Sequence, residues 1–248
     1  MLLKDKVVIV TGGAEGIGRA YAGGCASHGA RVVVADIRDG AETVKAVERA
    51  GSKAHFVQTD VSDEGATRAM AAEAVRVFGR IDGLVNNAAY YREVRLTDFE
   101  QISVELWDKI FAVNVRGPFL CCKAVMPTMR QQGSGSIVNI SSSTAVGGVG
   151  KFLHYVTTKG AVIGFTKALC KEVGDYGVRV NAVAPGFTIS GANASRPQEW
   201  RKYFAEQRAI KREEFPEDLV GTVAYLLSDL SGLVTGQTII VDGGHFLL

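Results

Sequence analysis

Short apolar runs alternate with longer segments of helical periodicity along this chain. The first run, from Lys6 to Thr11 (KVVIVT), is continuous and ends at glycines, and a helical segment follows from Gly16. A second continuous run extends from Arg31 to Asp36 (RVVVAD). Runs of this kind predict strands that are buried on both faces. Five further runs separate the remaining helical segments, at 53–58, 81–86, 135–141, 178–184 and 237–241.

Seven strands interleaved with helices predict a parallel sheet that is covered on both faces, which is a doubly wound α/β fold of the Rossmann type. No linker rich in proline, glycine or serine divides the 248 residues, and no internal repeat is present. We therefore expect residues 1–248 to form a single domain, with a substrate-capping insert at about 187–212. Gly23 and Gly24 each cost up to ~1 kcal/mol relative to alanine in the first helix, so we expect that helix to pack closely on the sheet.

Charge and apolar content exclude some classes of partner. The formal net charge is +2, and there is no basic tail or long run of like charges, so a nucleic-acid partner is not indicated. No apolar run approaches the ~20 residues that span a bilayer. The segment from Met1 to Asp5 leads directly into a strand pattern, so we expect no signal peptide, no membrane anchor and a cytoplasmic location.

The four cysteines show no metal-ligand spacing, and no metal site is predicted. Cys121 and Cys122 are adjacent within an apolar helical pattern, which indicates that one of them packs inward. We expect these two, together with Cys25 and Cys170, to be reduced structural thiols.

The first predicted strand runs into a glycine-rich turn that opens a helix. Gly12 permits the tight turn, Gly16 lets the backbone approach a pyrophosphate, and Gly18 lets the helix pack on the strand. The helix N-terminus supplies free N–H groups and a positive dipole end to the phosphates. In this βαβ context the turn predicts a dinucleotide-binding site.

The residue at the end of the second strand indicates which dinucleotide is bound. Asp36 lies about twenty residues after the turn, where a carboxylate can accept hydrogen bonds from both adenosine ribose hydroxyls and would repel a 2′-phosphate. Glu15 adds a second negative charge, whereas Arg38 could partly neutralise a phosphate. The balance favours NAD over NADP as cofactor.

The spacing Gly12-x-x-x-Gly16-x-Gly18 resembles that of the short-chain dehydrogenase/reductase family, and further motifs continue the resemblance through the chain. The segment 86–89 (NNAA) is similar to the family's Asn-Asn-Ala-Gly motif, with Ala89 in place of the glycine, which would strain the loop if that position has a positive φ. The other matching segments are Asp60-Val61, Asn114, Ser142, Tyr155-x-x-x-Lys159, Pro185-Gly186 with Thr188, and 241–244 (VDGG).

The resemblance implies a set of site residues. The implied catalytic residues are Asn114, Ser142, Tyr155 and Lys159. The implied cofactor-binding residues are Gly12, Glu15, Gly16, Ile17, Gly18, Asp36, Ile37, Asp60, Val61, Asn87, Ala88, Tyr155, Lys159, Pro185, Gly186 and Thr188.

The chemistry of these side chains suits hydride transfer. Tyr155 and Lys159 are four residues apart on a predicted helix and therefore share one face. Because a free tyrosine has a pKa near ~10, a nearby ammonium and the positive nicotinamide ring are expected to lower the pKa of Tyr155, so that it exchanges a proton with the substrate oxygen. Ser142 is expected to bind that oxygen, although Ser141 and Ser143 are alternatives in register.

The roles of the remaining polar residues are less constrained. By resemblance, Lys159 also binds the nicotinamide ribose, and Asn114 positions a water that links Lys159 to solvent. Asn114 could instead hydrogen-bond the backbone in the core. His154 points about 100° away from Tyr155 around the helix, so we expect a packing or interface residue.

Three stretches are expected to line the substrate end: Tyr90-Tyr91, the apolar segment 144–152 and the insert at 187–212. Trp200, Tyr203 and Phe204 share one helical face, which could cap the cofactor site or merely cover core. An apolar lining suits a hydrophobic or aromatic secondary alcohol or its ketone. The chain is also similar to aryl or alicyclic alcohol dehydrogenases of the family, notably at Thr144, His154 and Tyr155.

Other functions stay open. A 3-oxoacyl-acyl-carrier-protein reductase could use Arg130 and Lys171 to meet an acidic carrier, but that reaction usually draws on NADPH. A sugar or polyol dehydrogenase would need more polar groups around the pocket. A non-catalytic NAD-sensing regulator could share the fold, although such proteins tend to lose the tyrosine or lysine that this chain keeps.

The family resemblance also implies an assembly. It implies a homotetramer in which the helices near 104–131 and 153–174 pack across one two-fold axis. The last strand and the apolar tail 245–248 (HFLL) would serve another interface, because an exposed apolar terminus is unusual on a monomer.

Overall fold

The computed structural model describes residues 1–191 and 197–247, and these residues contain one seven-stranded parallel sheet. Every strand lies within two residues of the bounds that the apolar runs predict, which confirms the predicted α/β fold. The strands are β1 (Val7–Thr11), β2 (Arg31–Asp36), β3 (Ala54–Gln58), β4 (Gly83–Asn86), β5 (Gly135–Ile140), β6 (Val178–Pro185) and β7 (Thr238–Val241).

Helices connect the strands and cover the sheet. A five-residue π-helix, Ala112–Arg116, joins the fourth helix to the fifth. The α-helices of the described residues are α1 (Gly16–Ser27), α2 (Ala41–Arg49), α3 (Glu64–Phe78), α4 (Val104–Phe111), α5 (Gly117–Gln132), α6 (Thr144–Gly147), α7 (Leu153–Val173), α8 (Gln198–Gln207) and α9 (Glu217–Leu227).

The strand order, β3-β2-β1-β4-β5-β6-β7, places β1 and β4 side by side at the point where the chain changes direction across the sheet. From β1 the chain moves outward to β2 and β3, and it then crosses back to β4 on the other side of β1. The loops that follow β1 and β4 therefore diverge, and they leave a crevice at the carboxyl edge of the sheet.

Each face of the sheet carries its own hydrophobic core. Val8 and Val10 of β1 point into the core beneath α1 and α9, whereas Val7 and Ile9 point into the core beneath α3, α5 and α7. Successive side chains of a strand point to opposite faces. The continuous apolar run of β1 follows from this alternation, because both of its faces are covered.

All four cysteines are buried and unpaired. Cys121 and Cys122 are both buried, so the expectation that one of them packs inward was too narrow: Cys121 packs in the core, and the thiol of Cys122 accepts a hydrogen bond from Asn86 Nδ2 at 3.4 Å. Burial raises the pKa of Cys122, and that of Cys25, to about 12. The described residues contain no cluster of metal-ligating side chains, and no described helix is both long and apolar enough to cross a membrane.

Close packing explains one of the two helix glycines, but the neighbour is a helix and not the sheet. A Cβ atom placed on Gly24 would lie 2.2 Å from Cγ1 of Val220 in α9. A Cβ atom on Gly23 would have no neighbour within 4 Å. Gly24 therefore sets how closely α1 approaches α9, and nothing in the structure explains Gly23.

The two glycines make a matched pair for a stability test. We expect Gly24→Ala to lower the free energy of unfolding by about 1–3 kcal/mol, because the new methyl group overpacks the contact with Val220. Gly23→Ala should raise it by about 0.5–1 kcal/mol, because alanine favours the helix and the space is open. Urea unfolding measures both. Equal stabilisation by the two substitutions would refute the packing explanation.

Candidate active site

A cavity of about 750 Å³ opens at the carboxyl edge of the sheet, where β1 and β4 diverge. All the predicted cofactor-binding residues lie on its wall. They are Gly12, Glu15, Gly16, Ile17, Gly18, Asp36, Ile37, Asp60, Val61, Asn87, Ala88, Tyr155, Lys159, Pro185, Gly186 and Thr188. Of the predicted catalytic residues, Ser142, Tyr155 and Lys159 line the cavity, whereas Asn114 is buried and does not.

The glycine-rich turn after β1 is packed against the end of β4. Gly12 has a φ of +62°, and a Cβ atom there would lie 2.8 Å from Cα of Ala88. The amide of Asn87 donates to the carbonyl oxygens of Thr11 (3.0 Å) and Gly12 (3.1 Å). A Cβ atom on Gly18 would lie only 2.0 Å from the Gly12 carbonyl oxygen. Both glycines are therefore required for the turn to fold back onto its own helix.

The N-terminus of α1 faces the cavity. The helix begins at Gly16, and the preceding Glu15 makes no side-chain capping bond to it. Gly16 has a φ of +55°, and a Cβ atom on it would find its nearest neighbour, Ser190, at 3.9 Å. Conformation demands glycine here, and the space in front of it is open. First-turn N–H groups and the helix dipole thus fit a pyrophosphate.

Asp36 is held rigidly at the end of β2. Its Oδ2 accepts a hydrogen bond from the Ala14 N–H (2.9 Å), and its Oδ1 accepts one from the Arg38 N–H (3.0 Å). The guanidinium of Arg38 pairs with the carboxylate of Glu15, which also accepts a 2.5 Å hydrogen bond from Arg92. Glu15 therefore engages the cation that could otherwise neutralise a 2′-phosphate.

Tyr155 and Ser142 meet inside the cavity. Burial raises the pKa of Tyr155, the neighbouring Tyr91 hydroxyl raises it further, and a hydrogen bond with Ser142 lowers it. In the protein alone the pKa of Tyr155 is therefore raised, because the loss of solvation on burial outweighs the other contributions. The predicted lowering includes the charge of a bound nicotinamide ring and stays a prediction. The rings of Tyr91 and Tyr155 lie 5.2 Å apart, centre to centre.

Of the three serines after β5, Ser141 and Ser142 have different side-chain partners. The Ser141 hydroxyl donates to the backbone carbonyl of Lys159 at 2.8 Å, which ties β5 to α7. The Ser142 oxygen accepts hydrogen bonds from the N–H (3.3 Å) and the hydroxyl (3.0 Å) of Thr144. Ser142 is thus the serine of this run that contacts Tyr155 through its side chain.

Lys159 lies on the same face of α7 as Tyr155. Its Nζ donates to the carbonyl oxygen of Ile140 at 2.7 Å and lies 5.6 Å from the centre of the Tyr155 ring. Burial lowers the pKa of Lys159 to about 8. An ammonium has three donor protons, so two remain for other acceptors while Ile140 holds the amine in place.

Asn114 is committed to protein partners. It lies in the π-helix, and its Oδ1 accepts from the N–H of Tyr90 at 2.7 Å. Its Nδ2 donates to the Thr158 hydroxyl (3.3 Å) and the Tyr90 carbonyl oxygen (3.4 Å). The side chain therefore joins the loop after β4 to α7, which is the backbone-bonding alternative considered from the sequence. Ala89, in the same loop, has no positive φ, so the replacement of glycine causes no strain there.

Two buried charged residues that were not predicted from the sequence lie behind the loop 185–188, which by the family resemblance would hold the nicotinamide end of the cofactor. Arg208 Nη2 and Glu214 Oε2 form an ion pair at 3.1 Å with side chains 3% and 6% exposed. Glu214 also accepts a 2.5 Å hydrogen bond from Thr188, and Arg208 donates to the carbonyl oxygen of Phe187 (3.0 Å). Burial raises the pKa of Glu214, while Thr188 and Arg208 lower it. No local pattern distinguishes these two residues from the other charged residues in and just after the insert.

The ion pair of Arg208 and Glu214 holds the loop that contains Gly186 and Thr188 on the side of the loop away from the cavity's open space. A Cβ atom on Gly186 would lie 2.6 Å from Oε2 of Glu214 and 2.7 Å from Cβ of Asp242. Gly186 therefore lets β6 end directly against this carboxylate. The consequence is that the loop carrying Thr188 is positioned by the buried ion pair of Arg208 and Glu214, not by the sheet alone.

The substrate end of the cavity is lined by aromatic rings. Phe152 lies 4.8 Å from Tyr155, and Phe187 stacks on Phe204 at 4.6 Å, both measured between ring centres. Trp200 and Phe204 of α8 line the cavity, whereas Tyr203 is 57% exposed and does not. The α8 aromatic face thus caps the cavity through two of its three members. Residues 192–196 of the predicted insert lie outside the described residues.

Two histidines have different positions. His154 is fully buried against Phe152 and does not line the cavity, so it is a packing residue. His245 lines the cavity together with Phe246. The sequence assigned both tail residues to a subunit interface, and their placement beside the substrate end was missed. An apolar C-terminal segment has no local pattern that shows whether it lies at a subunit interface or beside the cavity.

Comparisons with known proteins agree with this geometry. A family model described as enoyl-(acyl carrier protein) reductase matches residues 12–245. The probable galactose dehydrogenase GalD of Rhizobium meliloti (strain 1021) is 39% identical over 98% of this chain and 96% of its own length. The 3-oxoacyl-acyl-carrier-protein reductase FabG of Staphylococcus aureus (strain N315) is 37% identical over 98% of each chain. The solved structure of levodione reductase is 32% identical and superposes over 97% of each chain with a TM-score of 0.92. The chain is therefore an oxidoreductase that belongs to the short-chain dehydrogenase/reductase family, as its motifs predicted.

Proposed function

We propose that this protein transfers a hydride between NAD and a hydrophobic or aromatic secondary alcohol or its ketone, with Tyr155 as the acid and base. The observation that carries the proposal is that Ser142, Tyr155 and Lys159 lie together on the wall of one cavity that continues to the phosphate-binding turn. Lys159 lies behind the same tyrosine.

The side chains on the cavity wall suit a concerted proton and hydride transfer. Bound NAD supplies the hydride acceptor. In oxidation, the Tyr155 oxygen takes the proton of the substrate hydroxyl while the hydride leaves the carbon that carries this hydroxyl. In reduction, the Tyr155 hydroxyl returns the proton to the carbonyl oxygen. Ser142 donates a hydrogen bond to the same oxygen and stabilises the charge that develops on it.

Lys159 stabilises the phenolate form of Tyr155. Burial alone opposes that phenolate, so a cation must offset the lost solvation. The Lys159 ammonium and the positive nicotinamide ring provide this charge, and the free N–H groups of Lys159 bind the nicotinamide ribose. Asn114 supports the arrangement by joining the Tyr90 backbone to Thr158 of α7.

Asp36 and Glu15 favour NAD over NADP. The Asp36 carboxylate is fixed by two backbone N–H groups and keeps lone pairs for the ribose hydroxyls. A 2′-phosphate would meet this carboxylate in a buried setting, where like charges repel strongly. Arg38 and Arg92 both pair with Glu15, so part of the positive charge that would favour a 2′-phosphate is already offset by this carboxylate.

The lining of the substrate end favours an apolar substrate over a sugar. Phe152, Phe187, Trp200, Phe204 and Phe246 contribute rings to the wall. The relative named a galactose dehydrogenase favours a sugar as the second candidate, but a sugar would need a polar partner for each hydroxyl.

An acyl-carrier-protein substrate, the alternative suggested by Arg130 and Lys171, is less well supported. Both residues lie near the C-terminal ends of their helices, just before β5 and β6 begin. They are therefore at the amino edge of the sheet, opposite the cavity. Arg130 is also engaged with the ring of Tyr176 at 4.2 Å.

A homotetramer in the cytoplasm is the setting we propose. Val104, Phe119 and Leu153 are exposed apolar residues on α4, α5 and α7, the helices expected to pack across a two-fold axis. Four unpaired thiols suit a reducing compartment.

A loss of the Tyr155 hydroxyl tests the proposed chemistry. We expect Tyr155→Phe to lower kcat/KM at least about a hundredfold, because the acid and base is removed while the ring remains. NAD affinity, measured by calorimetry, should change little. Tyr203→Phe is the matched control, since that hydroxyl lies outside the cavity, and it should keep full activity. NADH absorbance over a panel of secondary alcohols gives the rates. A wild-type protein that binds NAD and oxidises nothing would instead support a sensor.

Removing the carboxylate at the end of β2 tests the cofactor preference. Asp36→Ala should lower kcat/KM with NAD about tenfold and raise it with NADP, because charge-assisted hydrogen bonds to the ribose are lost and the repulsion disappears. Asp39→Asn removes a nearby charge that is not on the cavity wall, and it should leave the ratio unchanged. A wild-type kcat/KM for NADP that equals or exceeds the value for NAD would reject the NAD assignment.

The lowered pKa of Lys159 predicts a pH dependence of stability. The folded protein releases this proton near pH 8 and the unfolded chain near ~10, so between these values unfolding takes up a proton and the free energy of unfolding rises with pH. In Lys159→Met this rise should be smaller by about 1 kcal/mol per pH unit. Lys167→Met, an exposed position on the same helix, is the control. Identical pH slopes in the wild type and Lys159→Met, measured by urea unfolding, would contradict the assignment.

A further inference from the structure

The C-terminal segment turns back towards the cavity after β7. Both oxygens of Asp242 accept backbone hydrogen bonds at 3.0 Å, from the N–H groups of Gly244 and His245 to Oδ1 and from that of Phe246 to Oδ2. Gly243 and Gly244 adopt φ values of +69° and +76°. The turn is therefore specified by its own residues, and it aims the two side chains that follow.

The ring of Phe246 lies directly on Gly147 at the end of α6. A Cβ atom on Gly147 would lie 1.9 Å from Cε1 and 2.2 Å from Cδ1 of this ring. The helix α6 begins at Thr144, whose hydroxyl donates to Ser142. Phe246 therefore packs on the short helix that follows the catalytic serine, and no side chain larger than hydrogen fits between them.

His245 connects this ring to the insert. Its ring stacks on Phe246 at 4.1 Å with an interplanar angle of 22°, and it lies 6.1 Å from the ring of Phe204. Burial lowers the pKa of His245, and the nearby Arg208 lowers it as well, whereas Asp242 raises it. The neutral ring can then take part in an apolar wall together with Phe204 and Phe187.

We propose that His245 and Phe246 form a specificity-determining wall that binds the ring of a cyclic or aromatic substrate, and that Gly147 sets the position of this wall. The proposal rests on the proposed function and narrows its substrate class. Three parts of the chain that are distant in sequence meet at this wall: α6 (Thr144–Gly147), the stacked rings of Phe187 and Phe204, and residues 242–246. An offset-stacked or edge-on substrate ring gains contact with Phe246 that an acyclic substrate cannot make.

The test measures ring binding separately from turnover. Acetophenone and the acyclic ketone 2-butanone are titrated calorimetrically into protein saturated with NAD, where neither can be reduced. We expect Phe246→Ala to weaken acetophenone binding about tenfold and 2-butanone binding less than about twofold. Leu247→Ala, at the adjacent and 82% exposed residue, is the control and should match the wild type.

Gly147 provides a second, coupled test. Gly147→Ala should also weaken acetophenone binding about tenfold, because its methyl group displaces the Phe246 ring. In Gly147→Ala/Phe246→Ala no ring remains to be displaced, so the double variant should bind no more weakly than Phe246→Ala. NAD affinity and thermal unfolding show whether each variant is folded. If Gly147→Ala does not fold, the binding data for Phe246→Ala alone decide whether the wall exists.

The outcomes separate this proposal from the proposed function. Three results would each refute the proposed wall. Wild-type protein could fail to bind acetophenone, Phe246→Ala could lose equal affinity for both ketones, or the losses of acetophenone affinity could be additive in the double variant. If the ring-selective pattern is found but neither 1-phenylethanol nor 2-butanol is oxidised with NAD, the wall stands and the proposed substrate class fails. If both alcohols are oxidised with NAD but Phe246→Ala does not change ketone binding, the proposed function stands and the proposal of the wall fails.

Discussion

The hydrogen bonds between Thr11 and Asn87 join the carboxyl ends of β1 and β4, and both halves of the site depend on them. The Thr11 hydroxyl donates to the Val85 carbonyl oxygen and accepts from the N–H groups of Asn87 and Ala88, while the Asn87 amide returns hydrogen bonds to the carbonyl oxygens of Thr11 and Gly12. At this position the strand order reverses, so the loops diverge and a crevice is unavoidable. The linked strand ends hold the phosphate turn on one side and the loop of Tyr90 and Tyr91 on the other.

Burial has opposite effects on the pKa values of Tyr155 and Lys159, which both lie on α7. Removal from water opposes the charged form of each side chain, so the pKa of Tyr155 rises and that of Lys159 falls. In the protein alone both groups are pushed towards neutrality. In the proposed mechanism a cationic nicotinamide ring beside them would favour the phenolate of Tyr155, so that binding of the oxidised cofactor and activation of the base would be coupled through charge. The position of Lys159 against the Ile140 carbonyl keeps the amine close enough to take part.

The substrate end has a different origin from the cofactor end. The phosphate turn is built from one continuous segment, whereas the aromatic wall combines α6, the insert and the residues after β7. Arg208 shows how these parts are joined: it pairs with Glu214 behind Thr188, and its side chain also packs on Gly243, where a Cβ atom would lie 2.9 Å from its Cδ. The loop predicted to hold the nicotinamide and the turn that aims Phe246 are thus fixed by the same buried cation.

Local patterns in the amino-acid sequence were enough to predict the strands, the glycine turn and the carboxylate at the end of β2, because each depends on periodicity or on residues that are close in the chain. The sequence also placed Tyr155 and Lys159 on one face, since four residues complete about one helical turn. Other features become visible only in the folded chain: burial raises the pKa of Tyr155, Gly24 packs on Val220, Arg208 pairs with Glu214, and Phe246 lies on Gly147. These features depend on contacts between segments that are far apart in the chain, and a contact of that kind leaves no local pattern in either partner.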